Sequence, residues 1–236
     1  MADSPTPIPA ERPSLLVPGA VLVALILGFG FRASGGEALD FAFQSLFRTD
    51  SGWLVPRDVD FAAAPGNWLA YNGPKALIIL LALALIAVAV RPALGPAALG
   101  RRRALYLLAC LALVPVVCTQ LRAVTRMTTP SDLSLYGGSW EHRLLLESKP
   151  DGYPSWAFPA GHASGGFALI GLAFAWRSAR ARRLGWLAGL LAGGGMGLYQ
   201  IARGEHFLSH TLATCALAWL ICALLARWIR PAGSAA

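Results

Sequence analysis

The segments FPAGHAS (residues 158–164) and ARGEHFLSH (residues 202–210) enclose two apolar stretches that are joined by an arginine-rich turn. Two membrane helices connected in this way return to the surface from which they started. The polar ends of the two stretches should therefore lie at one face of a membrane. This pattern predicts that His162, Arg203 and His206 meet there, which makes them a candidate active site.

The composition is typical of a membrane protein. Of the 236 residues, 56% are hydrophobic and only 14% are charged, whereas soluble domains have about 25% charged residues. The net charge of +8 does not indicate nucleic-acid binding, because the basic residues occupy short turns between apolar runs, where they set topology. We therefore expect a membrane environment and no nucleic-acid partner.

Apolar runs divide the chain into six predicted membrane helices, and some of these need flanking residues to reach about 20 residues. The runs are 15–31, 76–90, 104–118, 163–176, 186–202 and 211–228. We predict an all-α fold, a polytopic six-transmembrane-helix bundle that forms one domain over residues 14–230. Residues 1–13 are predicted to be a disordered cytoplasmic tail, and residues 231–236 a second tail.

The mixed region before the second run contains a short predicted helix near Leu39–Arg48. Its apolar residues fall at helical spacing, and its polar residues recur every four positions. The pattern fits an amphipathic helix in the lipid headgroup region, and it fits equally a soluble helix packed on its own domain.

The arginines predict the orientation. They cluster in the turns at 91–103 and 177–183 and after the last run at 227–230. Positive turns face the cytoplasm, so both termini should be cytoplasmic and the loops 32–74, 119–162 and 203–210 should face outward. We expect a multi-pass protein of the inner (cytoplasmic) membrane with its active site on the periplasmic side.

Three pieces of sequence carry the chemistry. Gly161 and His162 stand where a helix begins, and free N–H groups at such a position favour a phosphate. Arg203 and His206 are three residues apart, where a guanidinium can bind phosphate oxygens beside an imidazole that can act as a nucleophile. For Gly161 and His162, the alternative is a structural turn that starts a helix and carries a histidine at the membrane interface.

The third piece follows the third apolar run. Arg122 and Arg126 are four residues apart, so both guanidinium groups can turn toward one anion. They could equally be solvated charges at the membrane interface.

The order of these pieces resembles the type-2 phosphatidic acid phosphatase superfamily of membrane lipid phosphatases. The family pattern is Lys-x6-Arg-Pro, then Pro-Ser-Gly-His, then Ser-Arg-x5-His-x3-Asp. Here Arg122-x6-Thr129-Pro130 fits the first motif, PAGH (159–162) fits the second, and His206 is the third-motif histidine, with Arg203 in the place of the motif's arginine. The resemblance covers roughly residues 104–228 and is similar to a bacterial subgroup of the family.

The chain departs from the family pattern at three positions. Thr129 stands where the first motif has Arg, a loss that Arg126 is predicted to offset, while Gln200 and His210 stand where the third motif has Arg and Asp. In the family the Asp orients the nucleophilic histidine. The orienting acid is therefore unassigned here, and its candidates are Asp132, Glu141 and Glu205.

The resemblance implies a metal-independent lipid phosphatase without a cofactor. His206 would attack phosphorus and form a phosphohistidine, and His162 would protonate the leaving oxygen and later activate water. Arg122, Arg203 and the backbone at Gly161 would stabilise the phosphate oxygens. The implied substrate is a lipid phosphate such as lipid A, undecaprenyl diphosphate, phosphatidylglycerol phosphate or phosphatidic acid.

Other functions fit parts of the sequence. A lipid phosphotransferase would use the same phosphohistidine with a lipid acceptor instead of water. His206 and His210 have a spacing that can bind zinc, as in a metal-dependent hydrolase. A non-catalytic lipid-binding or transport protein would also place polar groups at helix ends. The sequence alone leaves the oligomeric state open.

Overall fold

Helices form most of the structure in residues 12–154 and 156–232, the part of the chain that the computed structural model describes. They are α1 (Leu16–Gly30), α2 (Gly36–Ser45), α3 (Pro65–Val90), α4 (Gly100–Thr125), α5 (Gly161–Phe167), α6 (Leu172–Ala175), α7 (Ala179–Ala202) and α8 (Leu208–Ile229). Short 3-10 segments lie at Arg32–Ser34, Pro92–Leu94, Pro130–Asp132, Ser134–Tyr136 and Ala168–Gly171. A small antiparallel hairpin pairs β1 (Arg48–Thr49) with β2 (Gly52–Trp53). The predicted tail at 1–13 lies outside the described residues as far as residue 11, as do residues 233–236 of the second tail.

Three stretches of the described chain are long and apolar enough to cross a membrane: α3, the region Gly100–Asp132 that contains α4, and α8. Leu77 and Leu80 of α3 are more than half exposed, as expected of side chains that face lipid. The chain is thus a mostly helical protein whose apolar helices indicate a membrane. The count of six spans stays a prediction, because α1 and Gly161–Ala175 are shorter apolar helices and α7 is not among the helices that are long and apolar enough to cross a membrane.

Helix α3 differs from its prediction at the N-terminal end. The sequence suggested a helix that begins after Lys75, whereas α3 starts at Pro65 and continues through Pro74. A proline removes one backbone hydrogen bond from a helix interior, but α3 packs against α4, α5 and α7, and these contacts stabilise the helix. The helical arrangement of residues 65–75 brings Lys75 and the preceding turn beside the candidate site.

Four glycines at intervals of four residues line one side of α7. A methyl group at Gly185, Gly189 or Gly193 would lie 2.3 to 2.5 Å from atoms of the helical segment that runs from α5 to α6. Helices can approach this closely only where side chains are absent. Residues 161–175 therefore lie directly against α7, which aligns the start of α5 with the end of α7.

Helix α2 presents its polar face to the protein and its apolar face outward. Asp40 and Gln44 are 5% and 0% exposed, whereas Leu39 and Leu46 are 53% and 69% exposed. Gln44 donates a hydrogen bond to the backbone oxygen of Ile201 at 2.8 Å, close to the end of α7. This arrangement is the one expected of an amphipathic helix that faces lipid, rather than of a helix that covers a soluble core.

Candidate active site

The loop before α5 is attached to the end of α4. Arg122 donates through Nε to the backbone oxygen of Trp156, and the hydroxyl of Thr125 donates to the backbone oxygen of Phe158 at 2.5 Å. Both donors lie one helical turn apart on the same face of α4. They fix the loop so that α5 begins directly beside the Arg122 side chain.

Gly161 allows this approach. A methyl group at position 161 would lie 2.5 Å from Nη1 of Arg122, closer than carbon and nitrogen can pack. The guanidinium group of Arg122 therefore lies against the backbone at the start of α5. This contact joins the first and second motifs predicted from the sequence.

The ring of His162 stacks on a tyrosine from α3. The ring centroids of His162 and Tyr71 are 4.6 Å apart and the planes differ by 19°. The guanidinium carbon of Arg203 lies 5.0 Å from the centroid of the same tyrosine ring. Tyr71 thus places His162 and Arg203 next to one another, as the sequence predicted from the motifs.

Arg203 is buried although it carries a full charge, with only 5% of the residue exposed. Its Nη1 donates to Oε1 of Gln200 at 3.1 Å, and its Nη2 donates to the backbone oxygen of Arg57 at 2.5 Å. Gln200, at the position where the family pattern has Arg, thus binds the arginine that has moved to position 203. No carboxylate neutralises Arg203 among the ion pairs of the described residues.

The loop after α2 covers the turn that carries Arg203. Gly204 has a φ of +73°, and a methyl group there would lie 2.3 Å from the ring of Trp53. Arg57 from the same loop forms an ion pair with Glu205 at 2.9 Å. The backbone N–H of Ser131 donates to the oxygen of Gly204 at 3.0 Å, so the turn is held on two sides.

His206 lies just before α8 and is also 5% exposed. Burial lowers the pKa of His206 to about 3, the positive charge of Arg122 acts in the same direction, and the backbone of Ala157 opposes both. The imidazole is therefore neutral near pH 7, and a neutral imidazole has the lone pair that a nucleophile needs. The effect of Arg122 on His206 also indicates that the first and third motifs converge.

His210 does not replace the family carboxylate by its own chemistry. Its ring is buried edge-to-face against Phe158, with centroids 5.3 Å apart, and lies 5.9 Å from the ring of His206. Its backbone oxygen accepts from the N–H of Ala160 at 3.3 Å. His210 thus packs the loop before α5 against α8.

Each of the three acids proposed to orient His206 has another partner. Glu205 pairs with Arg57, and Glu141 pairs with Arg143 at 3.0 Å. Asp132 accepts from the hydroxyl of Thr129 at 2.7 Å. None of them forms a hydrogen bond with His206 within residues 12–154 and 156–232.

Arg126 and Thr129 lie apart from the histidines. Arg126 ends α4 with a φ of 48°, and its Nη2 donates to the backbone oxygen of Pro150 at 3.4 Å. Its predicted role as a phosphate ligand is thus not supported by a contact with another site residue. Thr129 is neutral and bonded to Asp132, so the first motif contributes one cation, Arg122, to the site.

Buried polar atoms without a protein partner concentrate in this region. In the described part of the chain, seven buried side-chain nitrogen and oxygen atoms lack a hydrogen-bond partner. Four of them belong to three site residues: both ring nitrogens of His162, Nδ1 of His206 and Nε of Arg203. Buried polar groups are nearly always paired, so such a cluster indicates where a polar ligand binds.

A family model described as the PAP2 superfamily matches residues 103–234. The chain belongs to the PAP2 superfamily. The match contains the predicted site residues Arg122, Gly161, His162, Arg203 and His206, and it extends slightly beyond the predicted range of 104–228. Comparison with curated proteins and with solved structures found no match.

Membership in the PAP2 superfamily supports a phosphatase-type activity on phosphate esters, often esters of lipids. Three residues that contact the site or its helices, Asp40, Tyr71 and Lys75, precede the matched region and were not predicted as functional. The only signal in the sequence was the four-residue spacing of Tyr71 and Lys75, which is visible once α3 is known to begin at Pro65.

Asp40 connects α2 to the first turn of α8. Its carboxylate accepts from the backbone N–H of Ser209 at 2.9 Å and from the Ser209 hydroxyl at 2.5 Å. Burial raises the pKa of Asp40 from its ordinary value of 3.8 to about 6, although the two hydrogen bonds from Ser209 oppose the shift. Above pH 6 the folded protein therefore holds a buried, charged carboxylate at this junction.

This shift predicts a pH-dependent effect of Asp40→Asn. Because the folded-state pKa of Asp40 is raised, the protonated carboxyl contributes fully to the free energy of unfolding below pH 3.8. This contribution is lost as the pH rises through about 6. The free energy of unfolding of the wild type relative to the variant should fall by about 2 kcal/mol between pH 4 and pH 7. Thermal unfolding in detergent measures this, with the exposed Asp50→Asn as a control that should follow the wild type. A difference that does not change with pH would contradict the assignment.

Proposed function

We propose that this protein is an integral-membrane lipid phosphatase that works through a phosphohistidine on His206. The observation that carries the proposal is the group of buried, unpaired nitrogens on His162, Arg203 and His206, beside Arg122. Two guanidinium groups and two imidazoles from three separate segments can bind a phosphoryl group and transfer it. The phosphatase activity of the PAP2 superfamily supports the same chemistry.

The reaction proceeds in two displacements. A ring nitrogen of His206 donates its lone pair to phosphorus, the bond from phosphorus to the leaving oxygen breaks, and His162 gives that oxygen a proton. Water then attacks the phosphohistidine, the phosphorus–nitrogen bond breaks, and His162 takes the proton from water. Inorganic phosphate and the dephosphorylated lipid are the products.

Arg122 and Arg203 stabilise the negative charge on the phosphate oxygens during both displacements. Arg203 is fixed before substrate arrives, because Gln200, Arg57 and Tyr71 all contact its guanidinium group. Groups that are already oriented need no reorganisation as charge develops, which is the source of most electrostatic catalysis. We propose that these cations act without a metal ion.

A lipid is the substrate that suits the surroundings of the site. The apolar outer faces of α2 and α3 border the polar cluster, so the headgroup of a lipid reaches it while the chains stay in the hydrocarbon. We propose six membrane spans, cytoplasmic termini and a periplasmic site in the inner membrane, which the arginine-rich turns support. Lipid A, undecaprenyl diphosphate, phosphatidylglycerol phosphate and phosphatidic acid remain the candidate substrates.

The proposal is tested by phosphate release from these four lipids with purified protein in detergent micelles. We expect turnover of at least one lipid, inhibition by vanadate, and no loss of activity in EDTA. Loss of activity in EDTA would favour a metal-dependent hydrolase. Tight lipid binding without release of phosphate, or transfer of phosphate to a second lipid instead of water, would overturn the hydrolase.

A further inference from the structure

Helix α3 carries a row of side chains that faces the candidate site. The backbone oxygen of Asn67 accepts from the hydroxyl of Tyr199 at 2.9 Å, Tyr71 stacks on His162, and Ile78 lies against Gly165 of α5. These residues occur at helical spacing, so Lys75 lies on the same side of α3. The first half of α3 is therefore part of the wall of the site.

Lys75 extends over the tyrosine that supports His162. Its Nζ is 3.5 Å from the centroid of the Tyr71 ring, within the range of a cation–π interaction. Tyr71 thus contacts two cations, Lys75 and Arg203, and one imidazole, His162. One aromatic ring orients three of the polar groups.

The charge of Lys75 is not neutralised by the protein. Among the described residues, Lys75 takes part in none of the ion pairs, and it lies half-buried on a helix that has no other charged residue. An ammonium group that no carboxylate neutralises can pair with an anion that enters the site. The chain's other lysine, Lys149, donates instead to two backbone oxygens, of Leu144 and Leu145.

The position of Lys75 assigns it to one side of the reaction. Its ammonium lies over the Tyr71 ring that stacks on His162, which in the proposed function protonates the leaving oxygen, whereas Arg122 lies against the backbone of Gly161 at the start of α5. A phosphate leaves as a doubly charged anion, but an alcohol leaves without charge once it is protonated. An ammonium group next to the leaving oxygen is therefore complementary to a leaving phosphate.

We propose that Lys75, held over Tyr71, binds the leaving phosphate of a lipid diphosphate and makes the site select diphosphates over monophosphates. This inference rests on the proposed function. His206 attacks the terminal phosphorus, and the bond from that phosphorus to the bridging oxygen breaks. The electron pair goes to the bridging oxygen, which departs as part of the lipid monophosphate. Water then releases inorganic phosphate from His206.

The test compares two substrates with one chain, farnesyl diphosphate and farnesyl monophosphate, using the full-length protein. Losing one charged contact to substrate costs about a factor of ten to one hundred. We expect Lys75→Gln to lower kcat/KM for the diphosphate about thirtyfold and for the monophosphate about threefold or less. Lys75→Arg should retain the preference, and the exposed Arg180→Gln should change neither value.

A second measurement does not depend on turnover. Inorganic diphosphate should inhibit the wild type more strongly than inorganic phosphate does, and Lys75→Gln should remove this difference. Lys75→Met should cause the same selective loss if Lys75→Gln does not fold in detergent. Equal losses for both substrates, or a wild type that prefers the monophosphate, would overturn the role of Lys75 but not the proposed function. A wild type that releases no phosphate from any lipid would overturn the proposed function as well.

Discussion

Replacing His206 with glutamine is expected to abolish phosphate release and to prevent any phosphoryl group from attaching to the enzyme. His206 is the nucleophile of the proposed mechanism, and its ring is buried, neutral near pH 7 and has an unpaired Nδ1. Loss of a covalent nucleophile commonly lowers kcat by a factor of about 10⁴ to 10⁶. The measurements are phosphate release and trapping of an acid-labile, radiolabelled phosphohistidine after rapid quenching.

His142→Gln is the matched control for this experiment. His142 is also partly buried, but its Nδ1 lies 2.5 Å from Glu37 and its ring packs on Phe207, outside the proposed phosphate site. This variant should retain turnover and the trapped label. Full activity or an unchanged label in His206→Gln would remove His206 from the mechanism.

Arg122→Gln should lower kcat/KM about a thousandfold, the second largest effect that we expect. Arg122 is held by the Trp156 backbone and lies against Gly161, so its charge is available to a phosphate at the start of α5. Removing one fixed donor from a developing anion costs a factor of about 10² to 10³, and removing an arginine from phosphoryl transfer costs as much or more. Glutamine retains polar atoms but not the charge.

Arg126→Gln provides the comparison, since Arg126 is one helical turn away and is exposed. The sequence predicted that both arginines bind phosphate, whereas Arg126 contacts the Pro150 backbone instead. We expect at most about a threefold loss for Arg126→Gln, the range of an exposed charge. Equal losses in the two variants would restore Arg126 to the site and would contradict the separate position described above.

The sequence predicted that the second and third motifs lie near one another, because their order along the chain carries three-dimensional information. His162 and Arg203 come together as expected, since two helices joined by one turn must return to the same side. Local patterns at Phe158–Ser164 and Ala202–His210 were sufficient for this inference. The spacing of Arg122 and Arg126 had already marked the end of the third apolar run, and the family resemblance then implied a separate role for each histidine.

The surroundings of the site could not be predicted in the same way. Asp40 contacts Ser209, which is 169 positions away in the sequence, and Tyr71 contacts His162, which is on a different helix. Both contacts arise only from tertiary packing. No periodicity in one sequence reports which helix packs beside which. Pro74 added a specific error, because a proline followed by a lysine resembles a helix boundary unless neighbouring helices support the chain.

The glycine row of α7 has a consequence for catalytic precision. Atoms of residues 167–173 fill the space that side chains would occupy along this row, so close packing fixes the distance between the start of α5 and the end of α7. The start of α5 and the end of α7 should therefore move together as one rigid unit. Any adaptation to headgroups of different size must come from the α3 wall or the covering loop, whose side chains can still rotate.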